Sequence, residues 1–356
     1  VRVLSVVGAR PNFIKLAPLA RALAARTGVE HVVVHTGQHY DRNMSDTFFE
    51  DLGVPEPQHN LDVGSGSHAA QTAAIMLRLE PVLLAERPDV VLVYGDVNST
   101  VAAALVAAKL RVPVGHVEAG LRSHDWSMPE EINRVVTDRL ADLLFTPSRD
   151  ADENLRAEGI PLERIHFVGN IMIDSLVSLL PRARASDALR RFDVTAGEFV
   201  IVTLHRPSNV DAAATLAGVM RALGRLAEAH PVLFPVHPRT QKRLAEFALP
   251  TPNSCLRLIE PLGYIDMLSL VQAAGLVITD SGGLQEETSF LGIPCVTVRP
   301  NTERPVTISQ GTNRLVAAEA HAIVDAAERA WGTGGARPIE RWDGRAAERI
   351  AQVLLR

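Results

Sequence analysis

Gly275-Leu-Val-Ile-Thr279 runs straight into Asp280-Ser281-Gly282-Gly283-Leu284-Gln285-Glu286-Glu287, and this junction decides how the chain is read. The first segment is an apolar run of buried-strand length, and residues 284–291 read as a helix. A strand that ends in a small, Gly-rich turn at a helix start is a ready anion site. The first helical N–H groups have no internal partner, and the helix dipole places partial positive charge there. Two glycines let backbone amides approach a phosphate with no Cβ in the way. Glu287, about one turn into the helix, suits neutral hydroxyls such as those of a ribose. The stretch therefore fits a nucleotide diphosphate. It fits equally a plain strand-to-helix turn, with Glu286 and Glu287 as ordinary first-turn acids.

Outward from this junction the chain alternates short apolar strands with amphipathic helices. Strands are predicted at 2–7, 31–35, 89–94, 112–117, 143–146 and 164–168, with helices at 13–26, 43–52, 68–86, 98–109, 130–141 and 149–158. The cycle resumes with strands near 198–204, 232–236, 255–259, 275–279 and 294–298, and helices near 211–229, 239–247, 264–274 and 283–291. Fully apolar strands in β-α repeats predict parallel sheets covered by helices on both faces, an α/β class. About eleven strands are many for one open sheet. A helix, Pro181 and an Arg/Ala-rich stretch break the pattern between 170 and 197. Two doubly wound, Rossmann-like domains facing a central cleft are expected, 1–169 and 170–342. A last helix near 343–356 is expected to return to the first domain. A single (β/α)₈ barrel fits worse, because its strand count is eight. No internal repeat is visible.

Composition narrows the class. The chain has 356 residues, 47% hydrophobic and 22% charged, enough for two packed cores and too apolar for disorder. A net charge of -5 argues against a general nucleic-acid binder. Two cysteines, Cys255 and Cys295, with no CxxC, point to a reducing, cytoplasmic compartment and away from structural zinc. No apolar stretch approaches the roughly 20 residues a membrane span needs. The N-terminal apolar run reaches Gly8-Ala-Arg-Pro11 after too few residues for a signal peptide.

In open α/β sheets, ligands bind beyond the carboxyl ends of strands, so polar residues there are the candidates. The first strand ends in Gly8-Ala-Arg10-Pro-Asn-Phe-Ile-Lys15, where Arg10 and Lys15 bracket a helix start. This is not GxGxxG, so the nicotinamide fingerprint is absent. Asp96 follows an apolar strand and reads either as a helix cap or as an active carboxylate. Glu118, in His116-Val-Glu-Ala-Gly-Leu-Arg122, stands where burying a charge is costly unless it serves something. Glu130 and Glu131 open the next helix, where either could simply favour the dipole. His205-Arg-Pro-Ser-Asn209 and His237-Pro-Arg239 place a histidine and an arginine after two strands of the second half. Such histidines are usually structural hydrogen-bonders, and two at equivalent places weaken that reading. His116-x-Glu118 lacks a second pair with zinc-like spacing, so no metal site is expected.

Taken in order, Gly8-Ala-Arg-Pro-Asn-Phe-Ile-Lys15, His116–Arg122, Pro129-Glu-Glu-Ile-Asn-Arg134, Asp280–Glu287 and Thr302-Glu-Arg-Pro305 resemble the non-hydrolysing UDP-N-acetylglucosamine 2-epimerase family. The resemblance runs from residue 1 to about 316, and the ordered set is far more specific than any one motif. It implies the GT-B fold with a UDP-sugar substrate, inversion at carbon 2 without NAD, and a homodimer. Catalysis would depend on Asp96, Glu118, Glu130 and His205. Arg10, Lys15 and His237 would line the substrate site. Ser281, Gly282 and Gly283 would cradle the diphosphate, Glu287 the ribose and Arg304 a phosphate. Leu262 and Met267 would hold the uracil, largely by backbone.

The chain departs from the common family pattern at Ala9, Asn12-Phe13, His205-Arg-Pro-Ser-Asn209 and in the loop Thr36–Met44. These variants resemble members acting on related UDP-sugars, including 2,3-diacetamido uronic acids. They bear also on activation by a second UDP-sugar through the 36–46 loop. A GT-B glycosyltransferase would share the cradle yet need essentially one base. A hydrolysing epimerase would admit water, and a nucleotide-sugar sensor would not require three carboxylates.

Overall fold

A computed structural model of the protein describes residues 1–37, 52–250, 254–335 and 337–355. The chain separates into two compact units, Val1–Ser178 with Glu340–Arg356, and Leu179–Ile339. The division expected from sequence falls after residue 169, with the return at 343.

The first unit is built on a 7-stranded sheet in the order β3-β2-β1-β4-β5-β6-β7. Its strands are β1 (Arg2–Val7), β2 (Glu30–His35), β3 (His59–Asn60), β4 (Val90–Tyr94), β5 (Val114–Val117), β6 (Leu143–Thr146) and β7 (Ile165–Phe167). The second unit carries a 6-stranded sheet in the order β10-β9-β8-β11-β12-β13. Its strands are β8 (Val200–Thr203), β9 (Val232–Pro235), β10 (Leu256–Ile259), β11 (Leu276–Thr279), β12 (Cys295–Val298) and β13 (Asn313–Val316). Every pairing in both sheets is parallel. Each unit is thus doubly wound, and its strand order reverses at one point: between β1 and β4, and between β8 and β11. Ligands of such sheets bind beyond the strand ends at that reversal.

The apolar runs become central strands because both faces are covered. Val90 to Tyr94 and Val200 to Val202 are wholly buried. In the second unit Val200 and Val202 face one cluster, with Leu216, Val219 and Leu223, whereas Phe199 and Ile201 face the other, with Leu270 and Val271. β3 and β13 were not expected. Both are edge strands, and Asn313-Arg-Leu-Val316 lacks a continuous apolar signal because only one side of an edge needs one. The helix Ala320–Ala330 was also not among the predicted elements; its buried face is Ile323, Ala326, Ala327 and Ala330. All but the last residue of the expected helix at 43–52, and most of the 36–46 loop, lie outside the described residues.

The last helix, Ala346–Leu354, belongs to the first unit and packs on the helix Arg10–Ala24. Its leading amides, Ala346 N and Ala347 N, donate to the Asp174 carboxylate at 3.1 and 2.7 Å. Trp342 Nε1 donates to the Pro147 carbonyl at 3.0 Å. Among the described residues, no helix is long and apolar enough to cross a membrane.

Candidate active site

In the first unit the candidate residues gather at the ends of β1, β4 and β5. Asn12 holds the first of these turns. Its Oδ1 accepts from Gly8 N and Ala9 N at 3.1 Å each, and its Nδ2 donates to the Tyr94 carbonyl at 2.9 Å. The departure from the common family pattern at this position is therefore a buried clamp between β1 and β4. Arg10 opens the helix with its side chain exposed, whereas Lys15, one turn further, is buried. Lys15 forms a buried ion pair with Glu118. Breaking such a pair from one side typically costs about 3–5 kcal/mol, because the other charge stays buried.

Glu118 follows β5 with φ +74°, in the left-handed region. Glutamate there is uncommon and costs on the order of 1–3 kcal/mol unless its surroundings impose it. Gly95, which precedes Asp96, also has a positive φ of 62°. A Cβ at Gly95 would stand 2.7 Å from Lys15 Nζ and 3.1 Å from Glu118 Oε2. Gly95→Ala is expected to destabilise the protein by about 1–3 kcal/mol in chemical unfolding, from backbone strain and intrusion on that pair. An unchanged unfolding midpoint would show that the turn tolerates a side chain.

Asp96 does not cap the helix Asn98–Lys109, whose N-cap is Val97. Its carboxylate instead accepts from Arg134 Nε and Nη2 at 3.0 and 2.6 Å. Arg134 Nη1 reaches Glu131 at 2.5 Å. Glu131 also accepts from Ser123 N and His124 N, at 3.0 and 2.8 Å. Burial raises the Glu131 carboxyl, but those amides and Arg134 outweigh it and hold it below the usual range. So the adjacent glutamates differ. Glu131 is structural, and Glu130 is half-buried with no hydrogen bond or ion pair to the described residues. Sequence reasoning missed the parts of Arg134 and of Asp138, which binds His116 and Arg122.

In the second unit the candidates gather at the β8/β11 reversal. Asp280 directly follows β11 and is fully buried, and its Oδ2 accepts from His205 N, Arg206 N and Asn209 Nδ2 at 2.9, 2.8 and 3.0 Å. His205 Nδ1 lies 3.0 Å from Asp280 Oδ1. Burial pushes the Asp280 carboxyl up, and His205 with the two amides brings it below its ordinary value. The His205 ring lies 5.4 Å from that of His237, centroid to centroid. His237 Nδ1 accepts from Arg239 N at 3.2 Å. Burial, then the charge of His205, lowers His237.

Ser281 is the N-cap of the helix Gly282–Leu291, but its side chain makes no capping bond. Its own amide donates to Thr279 Oγ1 at 2.9 Å. The Ser281 amide is thus engaged within the turn, which leaves the Ser281 hydroxyl and the Gly282 and Gly283 amides as the candidate donors to an anion. Arg304 sits against this turn, since a Cβ on Gly282 would lie 2.7 Å from its Nη1. Its guanidinium is paired with Glu303, and its Nε lies 2.9 Å from Glu286 Oε1. Glu303 also binds Arg299, at 2.8 Å. Gln285 joins the helix to the Arg304 loop by accepting from Thr302 Oγ1 and Asn313 Nδ2 at 2.7 and 3.0 Å.

Glu287 is buried and accepts from Tyr264 Oη at 2.7 Å. Tyr264 begins the helix Tyr264–Ala273, so the bond draws the 262–267 segment to the ribose candidate. Leu262 and Met267 themselves pack on the apolar core. Burial, reinforced by Glu286 and opposed by the Tyr264 hydrogen bond, pushes the Glu287 carboxyl up to about 7. A carboxyl raised in the folded state stabilises below its unfolded value, near 4.5, and that contribution is lost as pH rises through about 7. Glu287→Gln should therefore gain stability relative to wild type between about pH 5 and pH 8, by up to about 3 kcal/mol. Urea unfolding at both pH values reads the difference, and parallel pH profiles would refute the raised value.

Among the described residues, no group of three or more His, Cys, Asp and Glu is placed to hold a metal ion. What the two units do display is an anion-ready helix start with an arginine against it, a carboxylate-backed histidine, and a set of buried or half-buried acids at strand ends.

Comparison with known proteins gives this arrangement its context. A family model described as UDP-N-acetylglucosamine 2-epimerase matches residues 21–355. A Methanocaldococcus jannaschii protein named UDP-N-acetylglucosamine 2-epimerase is 42% identical, over 98% of this chain and 97% of its own. A Pseudomonas aeruginosa protein named UDP-2,3-diacetamido-2,3-dideoxy-D-glucuronate 2-epimerase is 41% identical, over 99% of both chains. The crystal structure of the M. jannaschii UDP-GlcNAc 2-epimerase in complex with UDP-GlcNAc and UDP is similar with a TM-score of 0.90, at 42% identity over 100% of this chain and 99% of that one. The two Rossmann-like units are those of the GT-B class. The chain belongs to the UDP-N-acetylglucosamine 2-epimerase family and is an isomerase.

Proposed function

We propose that this protein interconverts UDP-N-acetylglucosamine and UDP-N-acetylmannosamine by eliminating and re-adding UDP. The observation that carries the reading is the pairing of chemistries. The second unit has a Gly-Gly helix start backed by Arg304, and the first has Asp96 and Glu118 just beyond strand ends and Glu130 in the first turn of the helix Pro129–Leu140.

Carbon 2 of the sugar bears an acetamido group, and its proton is not beside a carbonyl, so direct deprotonation is unfavourable. Breaking the bond from carbon 1 to the diphosphate oxygen, as a base removes the carbon 2 proton, gives a glycal and free UDP. Protonation of carbon 2 from the opposite face, with UDP returning to carbon 1, gives the epimer. The departing diphosphate needs preorganised donors: the Gly282 and Gly283 amides, the Ser281 hydroxyl, Arg304 and Arg10. Proton traffic on both faces of one carbon needs more than one acid/base group, a task for Asp96, Glu118 and Glu130. His205, oriented by Asp280, and His237 contact the substrate, with Lys15 as counter-charge to Glu118. Glu287 accepts the ribose hydroxyls, and the backbone around Leu262 and Met267 takes the uracil. The working form is a homodimer, to be read by light scattering as twice the mass of one chain.

The test is NMR of UDP-N-acetylglucosamine with the protein in deuterated water, without NAD. UDP-N-acetylmannosamine carrying deuterium at carbon 2 is the expected product. Intact binding of the UDP-sugar with no exchange would overturn the reading for this sugar. The near-equal identity to the P. aeruginosa protein favours one second reading, epimerisation of a UDP-2,3-diacetamido uronic acid, tested by substituting that donor.

A further inference from the structure

His116 and Asp138 take no part in the chemistry above, yet both are wholly buried. His116 Nδ1 lies 2.6 Å from Asp138 Oδ1, and its Nε2 lies 2.7 Å from the Gly95 carbonyl oxygen. A carboxylate and a carbonyl offer only lone pairs, so each ring nitrogen faces an acceptor. The other Asp138 oxygen accepts from Gly120 N at 3.0 Å and Arg122 Nη1 at 2.7 Å. An imidazole, a guanidinium and an amide thus surround one buried carboxylate, as a buried charge requires.

The placement of these bonds is what matters. His116 and Gly120 flank Glu118, whose backbone is held in the left-handed region. Gly95 precedes Asp96 and abuts the Lys15–Glu118 pair. A single network therefore ties down both turns that carry candidate carboxylates, one after β4 and one after β5. A buried pair serving stability alone has no need to end on the carbonyl of the turn that precedes Asp96.

We propose that His116, held by Asp138, is a positioning residue that fixes the Gly95 turn and the strained Glu118 turn relative to each other, so that Asp96 and Glu118 keep the spacing proton transfer requires. The inference rests on the epimerase reading above. Supporting shells of this kind are worth about 10- to 100-fold in activity, and displacement of a reacting group by about 1 Å can cost about 100-fold.

Two substitutions separate positioning from stability. His116→Gln can place an amide N–H where Nε2 stood, keeping the Gly95 bond. His116→Asn can place one where Nδ1 stood, keeping Asp138 and losing Gly95. The expected result is that kcat for the asparagine variant falls about 30- to 100-fold with KM within about threefold, while the glutamine variant stays within about fivefold of wild type. Equal losses of kcat in both variants, following their melting temperatures, would overturn the proposal. A second measurement needs neither variant nor turnover: ¹⁵N NMR of His116 in the wild-type protein at neutral pH. Both ring nitrogens protonated supports the network, and a neutral ring overturns it. Wild type that fails to exchange deuterium would overturn the reaction assigned above and leave this spectrum to decide the network.

Discussion

Glu118→Gln should leave UDP affinity within about threefold of wild type and lower epimerisation by about a thousandfold or more, within the range set by removing a positioned acid/base group. The substitution keeps the shape of the side chain and removes its charge. That charge has a partner, because Lys15 is buried against it. The variant should therefore also lose stability, by about 3–5 kcal/mol, since a buried ammonium is left uncompensated. The two losses can be separated. Adding Lys15→Met removes the stranded charge, and the double variant should recover much of the stability but none of the turnover. Calorimetric titration with UDP, unfolding in urea and the deuterium-exchange assay read the three quantities. Turnover close to wild type in the single variant would remove Glu118 from the mechanism.

Gly282→Ala should weaken UDP binding by about 10- to 100-fold, the equivalent of losing a charge-assisted hydrogen bond. The reason is steric and electrostatic together. The new Cβ would stand 2.7 Å from Arg304 Nη1 and 3.0 Å from Glu303 Oε1. A free arginine would swing aside, but this guanidinium is pinned between Glu286 and Glu303. Either the arginine or the helix start has to move, and both are assigned to the diphosphate. Ser281→Val should cost less, about tenfold, because the Ser281 amide is already given to Thr279 and only the hydroxyl is lost. Calorimetry with UDP ranks the two variants. The reverse order would place the diphosphate on Ser281 and away from the Gly282 amide.

Much of the candidate site was legible in the sequence because chemistry in open α/β sheets is confined to strand ends. Once 275–279 and 89–94 are read as strands, Asp280 and Asp96 follow, and so does the Gly-rich turn. What was not legible is how each charge is answered. By position alone Glu130 and Glu131 both read as first-turn acids, and only the family resemblance singled out Glu130; in the fold Glu131 is held by the 123–124 amides and Arg134, and Glu130 makes no such bond. Asp96 had capping as an alternative reading, and its partner Arg134 lies 38 residues along the chain. Asn12 stood out only as a departure from a common pattern, and Asn209 only as the last residue of the His205 motif. Both tie two strand ends together, Asn209 by donating to Asp280 and to the Val298 carbonyl at 3.0 Å each.

The periodicity of the chain, by itself, determined two doubly wound units, since uninterrupted apolar strands separated by helices are stable only with both sheet faces covered. The ordered motifs determined the family, because the residue types that chemistry needs at strand ends recur in a fixed order along the chain. The edge strands, the left-handed backbone of Glu118, the His116–Asp138 network and the Glu286–Arg304–Glu303–Arg299 chain were decided only by tertiary structure. Each depends on groups far apart in sequence meeting where water is excluded. There an unpaired charge or a strained backbone persists only if its neighbours compensate for it.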